Sequence, residues 1–189
     1  MEKAVIISSN SDISQKIETA AVNEGFGCSV FSSCNSARRI LSNGSEPALI
    51  IINTPLPDEF GQEFAEMAAE NTSAAIILIC SGDISDDVAD RVSEHGIYVL
   101  PRPLNRELLL RTIRLVTSSR SRMMGMKKEN SEILSRIGEM RLINRAKAIL
   151  MKYLKFTEPQ AHSYITRQSM NNRQTRRETA EKILSQYEK

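Results

Sequence analysis

The 189-residue sequence has no tryptophan and few other aromatic residues, four tyrosines and five phenylalanines. Its three cysteines, Cys28, Cys34 and Cys80, are an odd number without the paired spacing of a metal or redox motif. Its two histidines, His95 and His162, stand apart from any cluster of metal-ligating residue types. The sequence therefore predicts no metal site and no cofactor.

The sequence also lacks an apolar run long enough to cross a membrane. Met1 leads almost directly into a short strand-like segment at residues 4–7, which is neither a signal peptide nor a membrane span. Cysteines without an evident pairing scheme are typical of a reducing compartment. We therefore expect a cytoplasmic protein that has no membrane partner.

What the sequence does have is an uneven distribution of charge. Residues 1–117 contain 9 Lys/Arg and 16 Asp/Glu, a net charge of −7, whereas residues 118–189 contain 16 Lys/Arg and 7 Asp/Glu, a net charge of +9. Such a split indicates two modules that have different partners. A basic module suits a polyanion, although solvated helix faces with excess cations explain the charge alone equally well.

Short apolar runs alternate with helical patterns along the first 117 residues. Five runs are predicted strands, at residues 3–8, 28–31, 48–52, 74–80 and 97–100. The runs are continuously apolar, which is typical of parallel strands that are buried on both faces. With right-handed crossovers, they predict an α/β domain with a doubly wound, five-stranded parallel sheet of the flavodoxin type.

The last helix of this domain does not end where the others do. Between residues 105 and about 153 there is no proline, and only Gly125 and Gly138 interrupt the helical pattern. A heptad places Val116, Met123, Asn130 and Ile137 at one seam position and Met126, Ile133 and Met140 at the other. One asparagine in an apolar seam is typical of a parallel two-stranded coiled coil.

This seam predicts a homodimer through a coiled-coil linker at residues 118–140. The alternative is a single amphipathic helix packed on its own chain. The segment SSRSR at residues 118–122 is a candidate hinge before the linker.

Residues 141–189 are predicted to form a three-helix bundle. Residues 157–160 and 175–178 each fit a capping box that begins a helix, and a proline is tolerated in the first helical turn. One face of the middle helix carries Tyr164, Arg167, Gln168 and Asn171 at helical spacing.

The first 117 residues resemble the receiver domain of two-component response regulators. The segment LIIINTPLPDEFG at 49–61, the strand IILICSG at 76–82 and the Arg102-Pro103 pair carry the resemblance. In that family two carboxylates after the first strand hold Mg²⁺, and an aspartate ending the third strand accepts the phosphoryl group. A Ser/Thr then ends the fourth strand, and a lysine precedes a proline after the fifth.

This sequence departs from that pattern at most chemical positions. Ser8 and Ser9 replace the carboxylates, Asn53 replaces the phosphoacceptor and Arg102 replaces the lysine, whereas Ser81 matches. Hydroxyls and an amide supply no negative charge for Mg²⁺, and an amide is a poor nucleophile toward phosphoryl groups. We therefore predict a pseudo-receiver that is not regulated by phosphorylation.

We expect the polar side chains at this degenerate site to form hydrogen bonds that satisfy polar groups at the strand ends. We also expect Arg102 to hydrogen-bond the side chain of Asn53 or Ser8. The resemblance also implies a cis peptide bond before Pro103.

Residues 141–184 look like the ANTAR module, an RNA-binding three-helix bundle of bacterial transcription antiterminators. The matching positions are Ala146, Lys147, Ile149, Leu150, Met151, Thr157, Glu158, Ala161, Arg167, Met170, Ala180 and Glu181. Ala148, Lys155 and Ser169 depart from the small residues that are common in the family. The order of modules resembles the antiterminators of amidase and ethanolamine operons.

The resemblance implies a non-enzymatic regulator that holds two hairpins in leader mRNA, one per module of a dimer, so that a terminator does not form. It also implies either gating by a sensor or sequestering protein or no gating at all. The predicted RNA contacts are Lys147, Lys152, Lys155, Tyr164, Arg167, Gln168, Asn171, Arg173 and Arg176. The alternatives are a DNA-binding transcription factor of the response-regulator type, with residues 176–187 as its recognition helix, and a protein-interaction adaptor.

Overall fold

Helices and strands alternate in a computed structural model of the chain, which describes residues 1–42 and 44–187. The strands are Glu2–Ser8 (β1), Phe26–Phe31 (β2), Leu49–Asn53 (β3), Ala75–Ser81 (β4) and Tyr98–Arg102 (β5). The helices are Ser11–Asn23 (α1), Cys34–Ser42 (α2), Gln62–Asn71 (α3), Ser85–Val92 (α4), Arg106–Leu154 (α5), Glu158–Asn171 (α6) and Arg176–Tyr187 (α7).

The chain divides into two compact units, Met1–Gly125 (unit 1) and Met126–Lys189 (unit 2). The predicted domain boundaries, after residues 117 and 140, both fall inside α5 and stay predictions. The predicted third domain ends at residue 189, and its last two residues lie outside the described part of the chain.

The sheet of unit 1 is parallel throughout and has the strand order β2-β1-β3-β4-β5. All five residues of β3 are buried, which explains why this strand is a continuous apolar run. Ile50 and Ile52 pack in a core with α2, α3 and α4, whereas Leu49 and Ile51 pack in a second core with α1 and α5. The predicted doubly wound α/β fold is confirmed.

Gly61 precedes α3 in a conformation that few other residues adopt. Its φ is +101°, and a Cβ atom at this position would lie 2.9 Å from Ile52 Cγ2 and 3.4 Å from Thr54 Cγ2. Glycine alone combines the left-handed backbone with so close an approach of the chain to β3.

Helix α5 is continuous through residues 118–122, so the prediction of a hinge there is wrong. The reason is tertiary contact within unit 1. Arg120 Nε donates to the carbonyl of Ser73 at 2.7 Å, and its Nη1 donates to Glu2 at 3.2 Å. Six residues earlier, Arg114 pairs with Glu24 through three hydrogen bonds of 2.8–3.0 Å.

The core of unit 2 is formed by the end of α5 together with α6 and α7. Its buried residues are Ala146, Ile149, Leu150, Ala161, Ile165, Ala180, Ile183 and Leu184. Both predicted capping boxes are present. Thr157 and Gln160 begin α6, and Thr175 and Glu178 begin α7, each pair through reciprocal side-chain bonds to backbone N–H groups.

Candidate functional site

Two polar side chains end β1 and β3 at neighbouring positions of the sheet. Ser8 and Asn53 are register partners, and Asn53 Nδ2 donates to Ser8 Oγ at 3.0 Å. Both residues are buried, with 4% and 3% of their surface exposed. Ser8 Oγ also donates to the Asn10 carbonyl at 3.2 Å and accepts from the Asn10 N–H at 3.3 Å. The Ser8 hydroxyl is therefore fully engaged.

The remaining residues of the degenerate site lie around this pair without joining it. Ser81 is the register partner of Arg102, and Ser9 Oγ donates to the Pro55 carbonyl at 3.5 Å. Arg102 Nε is buried without a hydrogen-bond partner, and within the described ranges no hydrogen bond joins Arg102 to Asn53 or Ser8. The expected Arg102 contact is therefore not formed. The expected cis peptide before Pro103 is present, and a second precedes Pro55.

The acidic residues that follow β3 have structural contacts. The backbone N–H groups of Cys34 and Asn35 donate to the Asp58 carboxylate at 3.2 and 2.9 Å, which caps the start of α2. Partial burial opposes ionisation of Asp58, but these N–H groups hold its pKa below the usual value. Glu59 pairs with Arg38 at 3.0 Å.

The thiol of Cys34 lies beneath these acids. Burial, and then the nearby Glu59, raise its pKa, so the thiol stays protonated and unreactive. Across residues 1–42 and 44–187 no group of three or more His, Cys, Asp or Glu side chains has the geometry to hold a metal ion. The Ser8–Asn53 pair at this edge of the sheet is thus uncharged and bonded within the chain.

In unit 2, aromatic side chains lie beside the predicted contact face of α6. The rings of Phe156 and Tyr164 meet edge to face, with centroids 5.6 Å apart. They line a groove of about 380 Å³, whose other lining residues are Pro159, Gln160, Ser163 and Arg167. Sequence reasoning found Tyr164 and Arg167 by helical spacing but missed Phe156, which lies outside any helix.

Two predicted cations in α5 already have partners. Lys147 Nζ lies 2.8 Å from Glu158 Oε1, and only 15% of the Lys147 side chain is exposed. The hydrogen bond from Lys147 lowers the pKa of Glu158. Lys152 Nζ lies 5.4 Å from the centre of the Tyr153 ring, in a cation–π contact that leaves Lys152 exposed.

Two other predicted cations, Lys155 and Arg173, have left-handed backbones, with φ of 56° and 51°. Arg173 N–H donates to the Met170 carbonyl at 3.3 Å, and Gln174 N–H donates to the Ser169 carbonyl at 2.9 Å. This pair of bonds is the Schellman motif, whose left-handed position is usually glycine.

The other predicted contacts lie along or just after α6. Gln168 is half-buried and its Oε1 accepts from Asn172 at 3.4 Å, whereas Asn171 is exposed. Arg176 is the exposed first residue of α7. Hydrogen bonds from the Thr175 backbone and hydroxyl to Glu178 lower the pKa of that carboxyl, so the α7 cap is an ionised carboxylate at neutral pH.

The predicted seam of α5 is exposed over most of its length. Every residue from 121 to 138 is exposed, and Met123, Met126, Ile133, Ile137 and Met140 expose 41–65% of their surface. Asn130 is exposed between them. Val116 differs, because it packs against the core of unit 1 beside α1. The heptad also missed Leu134, which is 62% exposed.

Comparison with known proteins finds similarity in each half of the chain. Residues 134–184 match the ANTAR domain family, beginning seven residues before the predicted start at 141. Over 140 residues the chain is 26% identical to the transcriptional regulatory protein PdtaR of Mycobacterium tuberculosis, covering 74% of this chain and 68% of that protein. Over 143 residues it is 25% identical to the aliphatic amidase regulator of Pseudomonas aeruginosa, covering 73% and 71%.

Among solved structures, a CheY-like response regulator receiver domain from Methanospirillum hungatei superposes with a TM-score of 0.58. The sequence identity is 18%, and the match covers 65% of this chain and 98% of the receiver. Unit 1 therefore has the receiver fold. Both resemblances stated from the sequence are confirmed. No helix in the described part of the chain is long and apolar enough to span a membrane.

Proposed function

We propose that this chain is a non-enzymatic transcription antitermination regulator of the cytoplasm, which binds hairpin RNA through unit 2. One observation carries the proposal: Tyr164 and the exposed Arg167 share one face of α6 and line a groove together with Phe156, inside the segment that matches the ANTAR domain. The relatives are named as regulators, which supports the same class of function.

The predicted contacts divide by chemistry. RNA loops are bound by stacking on aromatic or guanidinium planes and by hydrogen bonds to splayed bases. Tyr164 and Arg167 provide the planes, and Gln168 and Asn171 provide side-chain amides. Lys152, Lys155, Arg173 and Arg176 are exposed cations that suit phosphates. Lys147 stays in the predicted set, but its ion pair with Glu158 makes it the least available member.

Unit 1 acts in this proposal as a pseudo-receiver without phosphoryl transfer. The neutral Ser8–Asn53 pair stands where the resemblance places carboxylates, so neither a hard anionic ligand for Mg²⁺ nor a carboxylate nucleophile is in place. A sensor or sequestering protein, rather than phosphorylation, then gates the chain. Incubation with acetyl phosphate and Mg²⁺ should add no phosphoryl mass to the protein, and incorporation at any aspartate contradicts this part of the proposal.

The exposed apolar seam of α5 supports a parallel coiled-coil homodimer. Ile133→Glu introduces a charge at the centre of the seam, and we expect sedimentation equilibrium to show a shift from dimer to monomer. Ser131→Glu is the matched control, since it adds the same charge to the same turn away from the seam. Equal masses for both variants and the unaltered chain contradict the coiled-coil interface.

Selection from a pool of RNA hairpins with randomised loops tests the central function. We expect the full-length chain to enrich particular loops and to bind the enriched hairpins in preference to scrambled RNA and duplex DNA. Equal affinity for all three overturns hairpin recognition. A preference for duplex DNA supports the alternative of a DNA-binding transcription factor, and no binding to nucleic acid at low salt supports a protein-interaction adaptor.

A further inference from the structure

We propose that the groove beside α6 is a binding site for a single unpaired base of an RNA loop. The base stacks on the aromatic pair Phe156 and Tyr164, and Lys155, which directly precedes Phe156 in the chain, contacts the adjoining phosphate. This inference rests on the proposed function, because it assigns a particular site to one element of the hairpin.

The aromatic pair gives the groove a surface that suits a base. The two rings meet edge to face, so the face of one ring remains available to a third ring. Both residues are half-buried against the core of unit 2, which fixes their positions before a ligand arrives. Stacking of a base on an aromatic side chain needs this kind of fixed platform.

Polar groups at the edge of the groove match the edges of a base. Gln160 Oε1 already accepts from the Thr157 N–H at 2.8 Å, so its side-chain NH₂ remains as a donor. The hydroxyl of Ser163, on an exposed turn of α6, both donates and accepts. Hydrogen bonds to base edges are the means by which proteins distinguish one unpaired base from another.

Charge at the groove favours an anionic ligand such as a nucleotide over a cationic or neutral apolar ligand. Arg167 is among the lining residues, and none of the lining residues is acidic. The nearest carboxylate in sequence, Glu158, is neutralised by Lys147 at 2.8 Å. A phosphate that accompanies the base therefore meets Arg167 without a carboxylate among the lining residues.

The backbone conformation of Lys155 is a further observation that supports a binding role for this part of unit 2. Lys155 directly precedes Phe156, it is exposed, and its φ of 56° is a conformation that glycine adopts without strain. Among the described residues, no carboxylate lies within ion-pair distance of its ammonium. A long cation at a position where glycine is easier to accommodate indicates that the side chain itself has a use.

A double-mutant cycle between protein and RNA tests the site. The probe is a hairpin enriched by the unaltered chain, with each loop nucleotide in turn made abasic. We expect one loop position at which loss of the base weakens binding by about 10- to 100-fold, the range for one stacked base. Phe156→Leu retains an apolar side chain without an aromatic face, and it should weaken the intact hairpin by a similar factor.

The cycle is decisive because the two losses should not add. In Phe156→Leu, the abasic hairpin should bind no more weakly than the intact one. Tyr153→Leu is the matched control, since Tyr153 stacks on Tyr187 at 5.2 Å and does not line the groove. It should retain the full abasic penalty. If Phe156→Leu loses helical circular dichroism, Tyr164→Leu, which removes the other ring of the aromatic pair, replaces it in the cycle.

The outcomes separate this site from the proposed function. If the unaltered chain enriches no hairpin, the proposed function fails and the site fails with it. If hairpins bind but the abasic penalty at every loop position is the same in all variants, the RNA lies elsewhere and the groove assignment is overturned. An abasic penalty that also disappears in Tyr153→Leu overturns it equally.

Discussion

The two units differ in which residues they place in the left-handed region of the backbone. In unit 1 the described residues with positive φ are all glycines, Gly25, Gly44, Gly61 and Gly96. In unit 2 they are Lys155 and Arg173. Glycine adopts the left-handed conformation without strain. A lysine or arginine at such a position keeps its long side chain at a cost in backbone strain. This difference supports the proposal that unit 2 carries the side chains for binding.

The polar groups of the two units show the same division. In unit 1 the strand-end pair Ser8 and Asn53 is buried and bonded internally. In unit 2 the polar and aromatic residues of α6 line an open groove. A binding surface needs polar groups that a ligand can reach, and the exposed residues of the α6 groove meet this condition, whereas Ser8 and Asn53 are buried.

The largest effect is expected at Gly61. Gly61→Ala forces a Cβ atom to within 2.9 Å of Ile52 in a left-handed conformation, and we expect it to destabilise unit 1 by about 3 kcal/mol. Gly96→Ala is the control, since its φ of +68° is strained but its Cβ atom meets nothing within 4 Å, and about 1 kcal/mol is expected. Urea denaturation followed by circular dichroism measures both. Equal losses would mean that crowding against β3 is relieved at little energetic expense.

A second test concerns the neutrality of the strand edge. Asn53→Asp places a carboxyl in a site that is 3% exposed and removes the donor to Ser8, so we expect a loss of about 2 kcal/mol at pH 7. Burial raises the pKa of this carboxyl above that of the unfolded chain. The loss should therefore be full above the raised pKa and shrink as the pH falls through it.

Urea titrations at several pH values measure this dependence, with the exposed Asn23→Asp as the control that should change stability by less than about 0.5 kcal/mol. An Asn53→Asp variant as stable as the unaltered chain at pH 7 would mean that Arg102 turns to neutralise the new charge.

The caps of the helices sharpen the comparison further. Asp58 caps α2 from 24 residues away, whereas the caps of α6 and α7 use residues three apart. Asp58→Ala should destabilise unit 1 by about 1 kcal/mol. Because the folded pKa of Asp58 is lowered, this contribution is complete above the ordinary carboxyl pKa and is lost as the pH falls through the lower folded value.

The control, Asp58→Asn, retains an acceptor without a charge. It should keep part of the cap and lose the pH dependence near the carboxyl pKa. Circular dichroism during urea denaturation, repeated between neutral and acidic pH, checks both variants. An alanine variant whose stability loss is independent of pH would show that the cap acts through packing rather than through the carboxylate.

These caps also show how far the sequence predicts the structure. Capping boxes and buried strands were predictable because their signals are local: a three-residue spacing, or a continuous apolar run. The Asp58 cap and the Arg120–Ser73 contact, 47 residues apart, have no sequence period and emerge only from tertiary packing. The incorrect prediction of a hinge at 118–122 has the same origin. The contact between Arg120 and the Ser73 carbonyl, which holds this segment against unit 1, cannot be read from the local sequence.

The candidate site divides in the same way. Tyr164, Arg167, Gln168 and Asn171 share a helix face, so spacing alone grouped them. Phe156 follows the end of α5, and its place in the groove depends on the turn that brings it against Tyr164. No periodic pattern includes a residue in such a turn, which is why the groove was found only in the structure.

The smallest effect on stability is expected when the two cations with left-handed backbones, Lys155 and Arg173, are replaced by glycine. Lys155→Gly and Arg173→Gly relieve a left-handed backbone, although glycine also makes the unfolded chain more flexible, so we expect a net gain of about 0.5 kcal/mol. Lys152→Gly, in the right-handed last turn of α5, should instead lose about 1 kcal/mol. Thermal denaturation of unit 2 in the full-length chain distinguishes the two signs.

The same left-handed variants should lose affinity for the selected hairpin while they gain stability, because each removes a cation proposed to contact phosphate. The slope of log affinity against log salt should fall by about one for each cation removed. Lys155→Arg keeps both the charge and the strain and should leave the slope unchanged. Stabilised glycine variants that bind hairpins with the original affinity and slope would show that these cations are retained for a reason other than RNA, and the contrast between the two units would then concern backbone strain alone.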